Sequence, residues 1–236
     1  MTYMRKKMII TSFVLLISLL FSGFLFFGHD SKKKEYIEIR EYNGAKLGSI
    51  EDFRENSIKG VQEIDPDTYR LEITGMVANP KSYTLKELDK FSRTDKIVEL
   101  HCVEGWSVKA LWEGIELVDL FEIVQPATTV NTVIFYARDG YTTSLELRFI
   151  EENNLIIADK INGVTLPPET GFPFQLVAQQ KWGYKWIRWI TKIELTDDGT
   201  FRGYWESHGY NNIGDLSGPK NEPKWDADKP STPVFR

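Results

Sequence analysis

The first hydrophobic block of the chain covers residues 8–27, which are predominantly apolar and carry no charge. A helix needs roughly 20 such residues to cross a bilayer, so the block predicts a transmembrane anchor, with a cleaved signal peptide as the alternative. Residues 28–50 are polar and predict a linker. From there the pattern changes period. Residues 68–77 alternate polar and apolar side chains, as a half-buried strand does. Thr84-Leu85-Lys86-Glu87 has the form of a capping box and predicts a short helix towards Phe91. Residues 96–100 read as a strand. Residues 115–124 place Leu117, Val118, Leu120, Phe121 and Val124 at helical spacing, and the helix must stop before Pro126.

Residues 131–136 are β-branched and aromatic, and Asp139-Gly140 predicts a turn into a strand over 141–147. A short strand follows at 155–158, with a second tight turn at Asn162-Gly163. Residues 167–173 read as a rigid Pro-rich loop, and residues 174–178 and 187–195 as strands. Beyond Phe201 the chain is rich in Gly, Pro, Asn and aromatics and reads as irregular. Strands and short helices alternate without a regular βα rhythm, which predicts an α+β class with one folded domain over residues 51–215. Residues 1–7 form a basic N-terminal segment and residues 216–236 a tail.

Basic residues flank the apolar block on both sides: Arg5, Lys6 and Lys7 before it, Lys32, Lys33 and Lys34 after it. The N-terminal amine tips this balance towards an N-terminus inside, which leaves the domain membrane-anchored on the extracytoplasmic side. The net charge of −5 argues against a nucleic-acid partner. The sequence shows no internal repeat, no glycine-rich phosphate loop and no Cys-x-x-Cys-His haem motif.

Two segments carry candidate chemistry. The only cysteine, Cys102, lies in His101-Cys102-Val103-Glu104-Gly105-Trp106-Ser107, where a strand opens into a loop. It cannot form an internal disulfide, so its thiol is either core filler or a reactive ligand. The second segment runs from Gly171-Phe172-Pro173 to Lys181-Trp182-Gly183-Tyr184-Lys185-Trp186-Ile187-Arg188-Trp189. Its cations can grip an anion such as a phosphate, its aromatics can pack on a flat ring, and Gly183 lets the backbone approach a ligand or take a positive φ. An amphipathic strand with cations facing solvent is the other reading of the same residues.

Together with Phe53-Arg54-Glu55-Asn56-Ser57-Ile58-Lys59-Gly60 and Tyr69-Arg70-Leu71-Glu72-Ile73-Thr74-Gly75, these segments resemble the molybdopterin-binding oxidoreductases of the sulfite oxidase superfamily. The resemblance runs from about residue 50 to 215. It is similar to the branch holding the catalytic subunits of bacterial periplasmic methionine-sulfoxide reductases and their relatives. It implies a single mixed α/β domain and a molybdenum–molybdopterin cofactor with Cys102 as the thiolate ligand to the metal. It also implies cofactor contacts from Arg54, Glu55, Asn56, Thr170 and Gln175, and from Lys185, Trp186, Ile187 and Arg188 on the phosphate tail. Gln175 stands where relatives often have arginine, so that phosphate contact is expected to be either weaker here or taken over by Lys181. Thr170 replaces an amide side chain seen in relatives.

An arginine-rich pocket is expected for sulfite, whereas here Glu104 follows the ligand by two residues. A carboxylate so close repels an anion by about 1 kcal/mol or more. The expectation is therefore reduction of a neutral S-oxide or N-oxide of the methionine-sulfoxide type, with Glu104 as a proton donor. Electrons then come from a separate membrane or soluble haem or quinone protein. A sulfite dehydrogenase-like enzyme and a non-enzymatic domain with an aromatic binding groove are the alternatives.

Overall fold

The computed structural model describes residues 36–221, and from Ile37 onwards they belong to one compact unit. The anchor expected at 8–27 and most of the tail lie outside the described residues, among which no helix is long and apolar enough to cross a membrane. The described part of the expected linker is folded. Asn43 and Gly44 both take positive φ (48° and 77°) and join β1 (Glu41–Tyr42) to β2 (Ala45–Lys46) in a tight hairpin. Leu47 and Ile50 are buried, and the Glu38 carboxylate accepts hydrogen bonds from Ser49 Oγ, Ile50 N and Asn162 Nδ2. Polarity alone suggested a tether here because the buried groups are few and widely spaced.

The strand expected from alternation is β3 (Leu71–Gly75), with Leu71 and Ile73 turned inward; β4 (Lys81–Tyr83) pairs with it. Thr84 caps α1 (Leu85–Leu88): its hydroxyl accepts from Glu87 N while the Glu87 carboxylate accepts from Thr84 N. β5 (Thr94–His101) and β6 (Ser107–Glu116) then form a long antiparallel hairpin. No periodicity announced β6. It buries Val108, Ala110, Leu111, Trp112 and Ile115, and a register shift between Glu113 and Gly114 breaks the alternation. Ile115 and Glu116 still pair in the sheet, so α2 (Leu117–Val124) begins two residues later than expected. It ends at Gln125, in the left-handed region with φ 54°.

β7 (Thr132–Ala137) and β8 (Thr142–Glu146) flank the Asp139-Gly140 turn, in which Asp139 Oδ1 accepts from Tyr141 N. After α3 (Leu147–Glu152), β9 (Ile156–Ile161) and β10 (Val164–Thr165) are joined by Asn162-Gly163, with φ of 50° and 78°. β11 (Gln175–Val177), β12 (Ile190–Thr196) and α4 (Tyr204–Ser207) complete the fold.

The strands make two five-stranded sheets. One has the order β10-β9-β6-β5, with β11 also on β9, and all its pairs are antiparallel. The other has the order β4-β3-β12-β7-β8, in which β12 runs parallel to β3. A parallel pair needs a long crossover, and here the crossover contains the whole first sheet. The chain passes between the sheets four times. Its last passage, residues 178–189, carries the cations and aromatics singled out in the sequence. Leu176 N donates to Ile187 O and Ile190 N to Phe174 O, which ties the far end of that passage back to β11 and the residue before it.

Candidate active site

The β5–β6 hairpin presents Cys102 at the start of its loop. Cys102 N donates to Trp106 O at 2.9 Å, and Gly105 N to Cys102 O at 3.1 Å, with Gly105 at φ 90°. The loop is held from outside by the 178–189 passage, because His101 pairs in parallel with Trp182. A Cβ on Gly183 would lie 3.2 Å from His101 O and 3.4 Å from Cys102 Cα. Gly183 therefore serves close approach to the Cys102 backbone without a positive φ, and it also lines the cavity beside Cys102. Cys102 is 6% exposed and forms no disulfide. Burial pushes its thiol pKa up, with the Glu104 carboxylate adding to the effect. A cation at the sulfur is what would hold it as thiolate.

A cavity of about 170 Å³ opens beside the sulfur. Asn56 Nδ2 makes a long 3.9 Å contact to Cys102 Sγ, and Asn56 Oδ1 accepts from Arg188 Nη2 at 3.0 Å. Arg188 also donates to Glu169 O at 2.9 Å, lies 4.7 Å over the Trp189 ring and approaches Glu55 at 3.7 Å. Gly171, at φ 112°, makes this possible: a Cβ there would sit 2.8 Å from Arg188 Cβ. Burial pushes the Arg188 pKa down while Glu55 pulls it up. Burial raises the Glu55 carboxyl, but its hydrogen bonds with Ser57 and the Arg188 charge hold it below the usual range.

Of the residues expected at the site, Arg54, Asn56, Cys102, Glu104 and Thr170 line the cavity, as do Gln175, Trp186, Ile187 and Arg188. Glu55 is not in the wall and reaches it through Ser57 and Arg188. Thr170 is satisfied locally, its hydroxyl donating to Pro167 O. Glu104 Oε2 accepts from Trp106 Nε1 at 3.1 Å. Lys181 and Lys185 are not in the wall. Lys181 Nζ pairs with Asp215 at 2.5 Å and sits 3.9 Å over the Phe149 ring. Lys185 is fully buried, donating to Ser144 O at 3.0 Å and to Glu206 Oε1 at 2.5 Å. Neither ammonium reaches the cavity, so Lys181 does not replace the arginine missing at Gln175. Asp139, Tyr141, Trp205 and Tyr210 line the cavity without having been singled out, beside Ser57 and Tyr184 of the quoted segments. Asp139 and Tyr141 carried only a turn signal, and Trp205 and Tyr210 only the aromatic richness of the C-terminal stretch.

Residues 58–205, more than half of the chain, match the oxidoreductase molybdopterin binding domain. The chain belongs to that family. It is 32% identical over 154 residues to a putative protein-methionine-sulfoxide reductase subunit, YedZ1, of Azospira oryzae, covering 65% of this chain and 58% of that protein. It is 32% identical over 153 residues to the uncharacterized oxidoreductase YuiH of Bacillus subtilis, covering 64% of this chain and 76% of that one. The catalytic subunit MsrP of the protein-methionine-sulfoxide reductase of Campylobacter jejuni is 23% identical over 192 residues, covering 73% of this chain and 64% of that one. The chain thus spans well under two thirds of the Azospira relative's length. The sulfane dehydrogenase SoxCD of Paracoccus pantotrophus has a TM-score of 0.57 at 21% identity, covering 59% of this chain and 41% of that chain, a likeness of fold.

The cavity fits the family's cofactor. Among the described residues no cluster of three or more His, Cys, Asp or Glu could hold a metal. A metal at Cys102 would have one protein sulfur and would draw its other ligands from outside such a cluster. A single buried thiol suits a soft-ligand metal site of that kind. Ser57 Oγ is buried without a hydrogen-bond partner, an orphaned polar atom that a polar ligand would satisfy. Arg54 and Arg188 can hold an anionic tail.

Proposed function

We propose that the protein is a molybdenum-dependent oxidoreductase that reduces a neutral S-oxide or N-oxide, of the methionine-sulfoxide type, with electrons from a separate partner. The charge balance of the cavity carries this reading. Glu104, Asp139 and Glu169 line it against Arg54 and Arg188, and Arg188 has Glu55 beside it. If the two arginines hold the cofactor's anionic tail, no cation is left for a sulfite ion, whereas a neutral oxide meets no such repulsion. The Azospira and Campylobacter relatives are named as subunits of protein-methionine-sulfoxide reductases, which supports both the substrate class and a separate electron donor. The proposal keeps residues 8–27 as an anchor that places the domain on the extracytoplasmic side, beside a membrane haem or quinone protein, on the strength of their charge-free apolar length.

When bound, the molybdenum–pterin group supplies two-electron oxygen-atom chemistry. The chain's residues hold and shape the site around it. Cys102 supplies the protein's sulfur to the metal, and Asn56 keeps the sulfur and Arg188 in one hydrogen-bonded line. Ser57 and Gln175 offer polar contacts, and the aromatic walls exclude water, which strengthens every charged contact inside. Removing an oxide oxygen as water consumes protons, and Glu104, which lines the cavity and has one carboxylate oxygen bonded to Trp106, would carry one.

The test uses the full chain made in a host that synthesises molybdopterin. Molybdenum is measured by elemental analysis, pterin by fluorescence after oxidative release, and turnover with methionine sulfoxide or sulfite and redox dyes. Near-stoichiometric metal and sulfoxide reduction that disappears in Cys102→Ala support the reading. Full turnover in Cys102→Ala, or oxidation of sulfite without reduction of any oxide, would sink it.

A further inference from the structure

One part of the cavity wall differs in kind from the rest. Tyr184, Trp205 and Tyr210 form a run of rings on it, with centroids 5.1 Å apart for Tyr184–Tyr210 and 5.4 Å for Trp205–Tyr210. The match to the family ends at Trp205, so Tyr210 belongs to a stretch outside the shared domain. Together with Tyr184 and Trp205, which lie within the match, it gives the cavity an aromatic side suited to an apolar group.

The wall is seated by charges buried beneath it. Glu206, adjacent to Trp205, has a side chain with no exposure and accepts from Lys185 Nζ and from Thr143 Oγ1. Gly203, which opens α4, has no room for a Cβ, which would lie 2.4 Å from Thr142 O. Tyr184 Oη donates to Asn211 O at 2.7 Å, and Trp182 N to Gly214 O at 2.8 Å.

We propose that Trp205 and Tyr210 form a subsite for the apolar flank of the oxide substrate, an aryl or thioether group, and that Lys185 and Glu206 are the positioning pair that holds this subsite in place. The inference rests on the oxide-reductase reading for its substrate. Offset or edge-on ring packing gives such a wall its preference for flat or polarizable groups over a bare methyl.

The experiment compares methyl phenyl sulfoxide with dimethyl sulfoxide in steady-state reduction by the holoenzyme. It also titrates the protein calorimetrically with methyl phenyl sulfone, which carries the same flank. In Trp205→Ala and Tyr210→Ala the aryl-to-methyl ratio of kcat/KM falls about tenfold and the sulfone binds correspondingly more weakly. The double variant Lys185→Met/Glu206→Leu removes both buried charges together and lowers the same ratio through KM, with its molybdenum content kept. Thr143→Val, which removes only one donor to Glu206, lowers it less and stands in if the double variant does not fold. An unchanged ratio in both alanine variants overturns the subsite even though oxides are reduced. An unchanged ratio in the double variant, or in Thr143→Val if that stands in, overturns the positioning role. A wild type that reduces no oxide, yet binds the sulfone in a manner lost in Trp205→Ala, removes the oxide-reductase reading and supports the subsite.

Discussion

Replacing Lys185 with Met separates two roles for this residue, because the swap removes the charge and nearly keeps the shape. Its side chain and that of Glu206 have no exposure at all. Without the ammonium, Ser144 O loses its 3.0 Å donor and Glu206 keeps only Thr143 Oγ1, while Glu206 Oε2 already lacks a partner. Burial pushes the Lys185 pKa down despite the pull of Glu206, so the pair already bears a desolvation cost. Removing one member leaves the other as an uncompensated buried charge, which costs about 3–5 kcal/mol. For a domain of this size that lowers the melting temperature by roughly 6–20 °C. The assay is thermal and urea unfolding of the metal-free protein followed by circular dichroism. Lys185→Met/Glu206→Leu is expected to recover most of the loss, since replacing both charges by apolar groups is often close to neutral. A phosphate-gripping lysine would behave in the opposite way, losing cofactor affinity with little change in the metal-free melt. A single variant within about 1 kcal/mol of wild type, or a double variant no more stable than the single, would refute the buried-pair argument.

Burial and the Glu194 carboxylate, which accepts the Tyr136 hydroxyl at 2.8 Å, push the Tyr136 phenol up from 10 to about 12. Its stabilising contribution is complete below pH 10 and is lost as the pH rises through about 12. Tyr136→Phe should flatten that alkaline fall in urea unfolding; an unchanged slope would count against it. Gly183→Ala forces a few tenths of an ångström between the 178–189 passage and Cys102. It should cost about 1 kcal/mol of stability and lower the molybdenum content, so full metal loading would contradict the close-approach argument. Asn162→Ala removes the Leu111 N bond to Oδ1 and the Nδ2 bonds to Glu38 and Gly48 O, at a position with φ 50°. A loss of roughly 2–4 kcal/mol is expected in urea unfolding, and less than about 1 kcal/mol would mean the N-terminal stretch is held by other contacts.

Signals that act within a few residues were legible along the chain. The alternation at β3, the Thr84 capping box and the turns at Asp139-Gly140 and Asn162-Gly163 all depend on neighbours two to four positions away. β6 was not legible, because it is buried on both faces near its bulge and shows no single period. The hairpin of β1 and β2 was hidden for a related reason. What holds it is Asn162, more than a hundred residues distant, and no local pattern reports such a contact.

The site divides in the same way. The resemblance carried jointly by residues 53–60, 69–75, 102–107 and 171–186 was enough to point to the molybdopterin-binding oxidoreductase family. The fate of each cation was not readable from spacing. Lys185 and Arg188 are three residues apart, yet one is sealed beneath α4 against Glu206 and the other lines the cavity with Asn56. Charge identity is a property of the residue, but what a charge faces depends on which distant carboxylate the fold brings to it. Gly183 shows the same limit, since its contact with the backbone of Cys102 joins two segments about eighty residues apart. Asp139, Tyr141, Trp205 and Tyr210 reach one cavity from separate parts of the chain, β7–β8 and the C-terminal stretch, which meet only when the two sheets and the 178–189 passage are assembled.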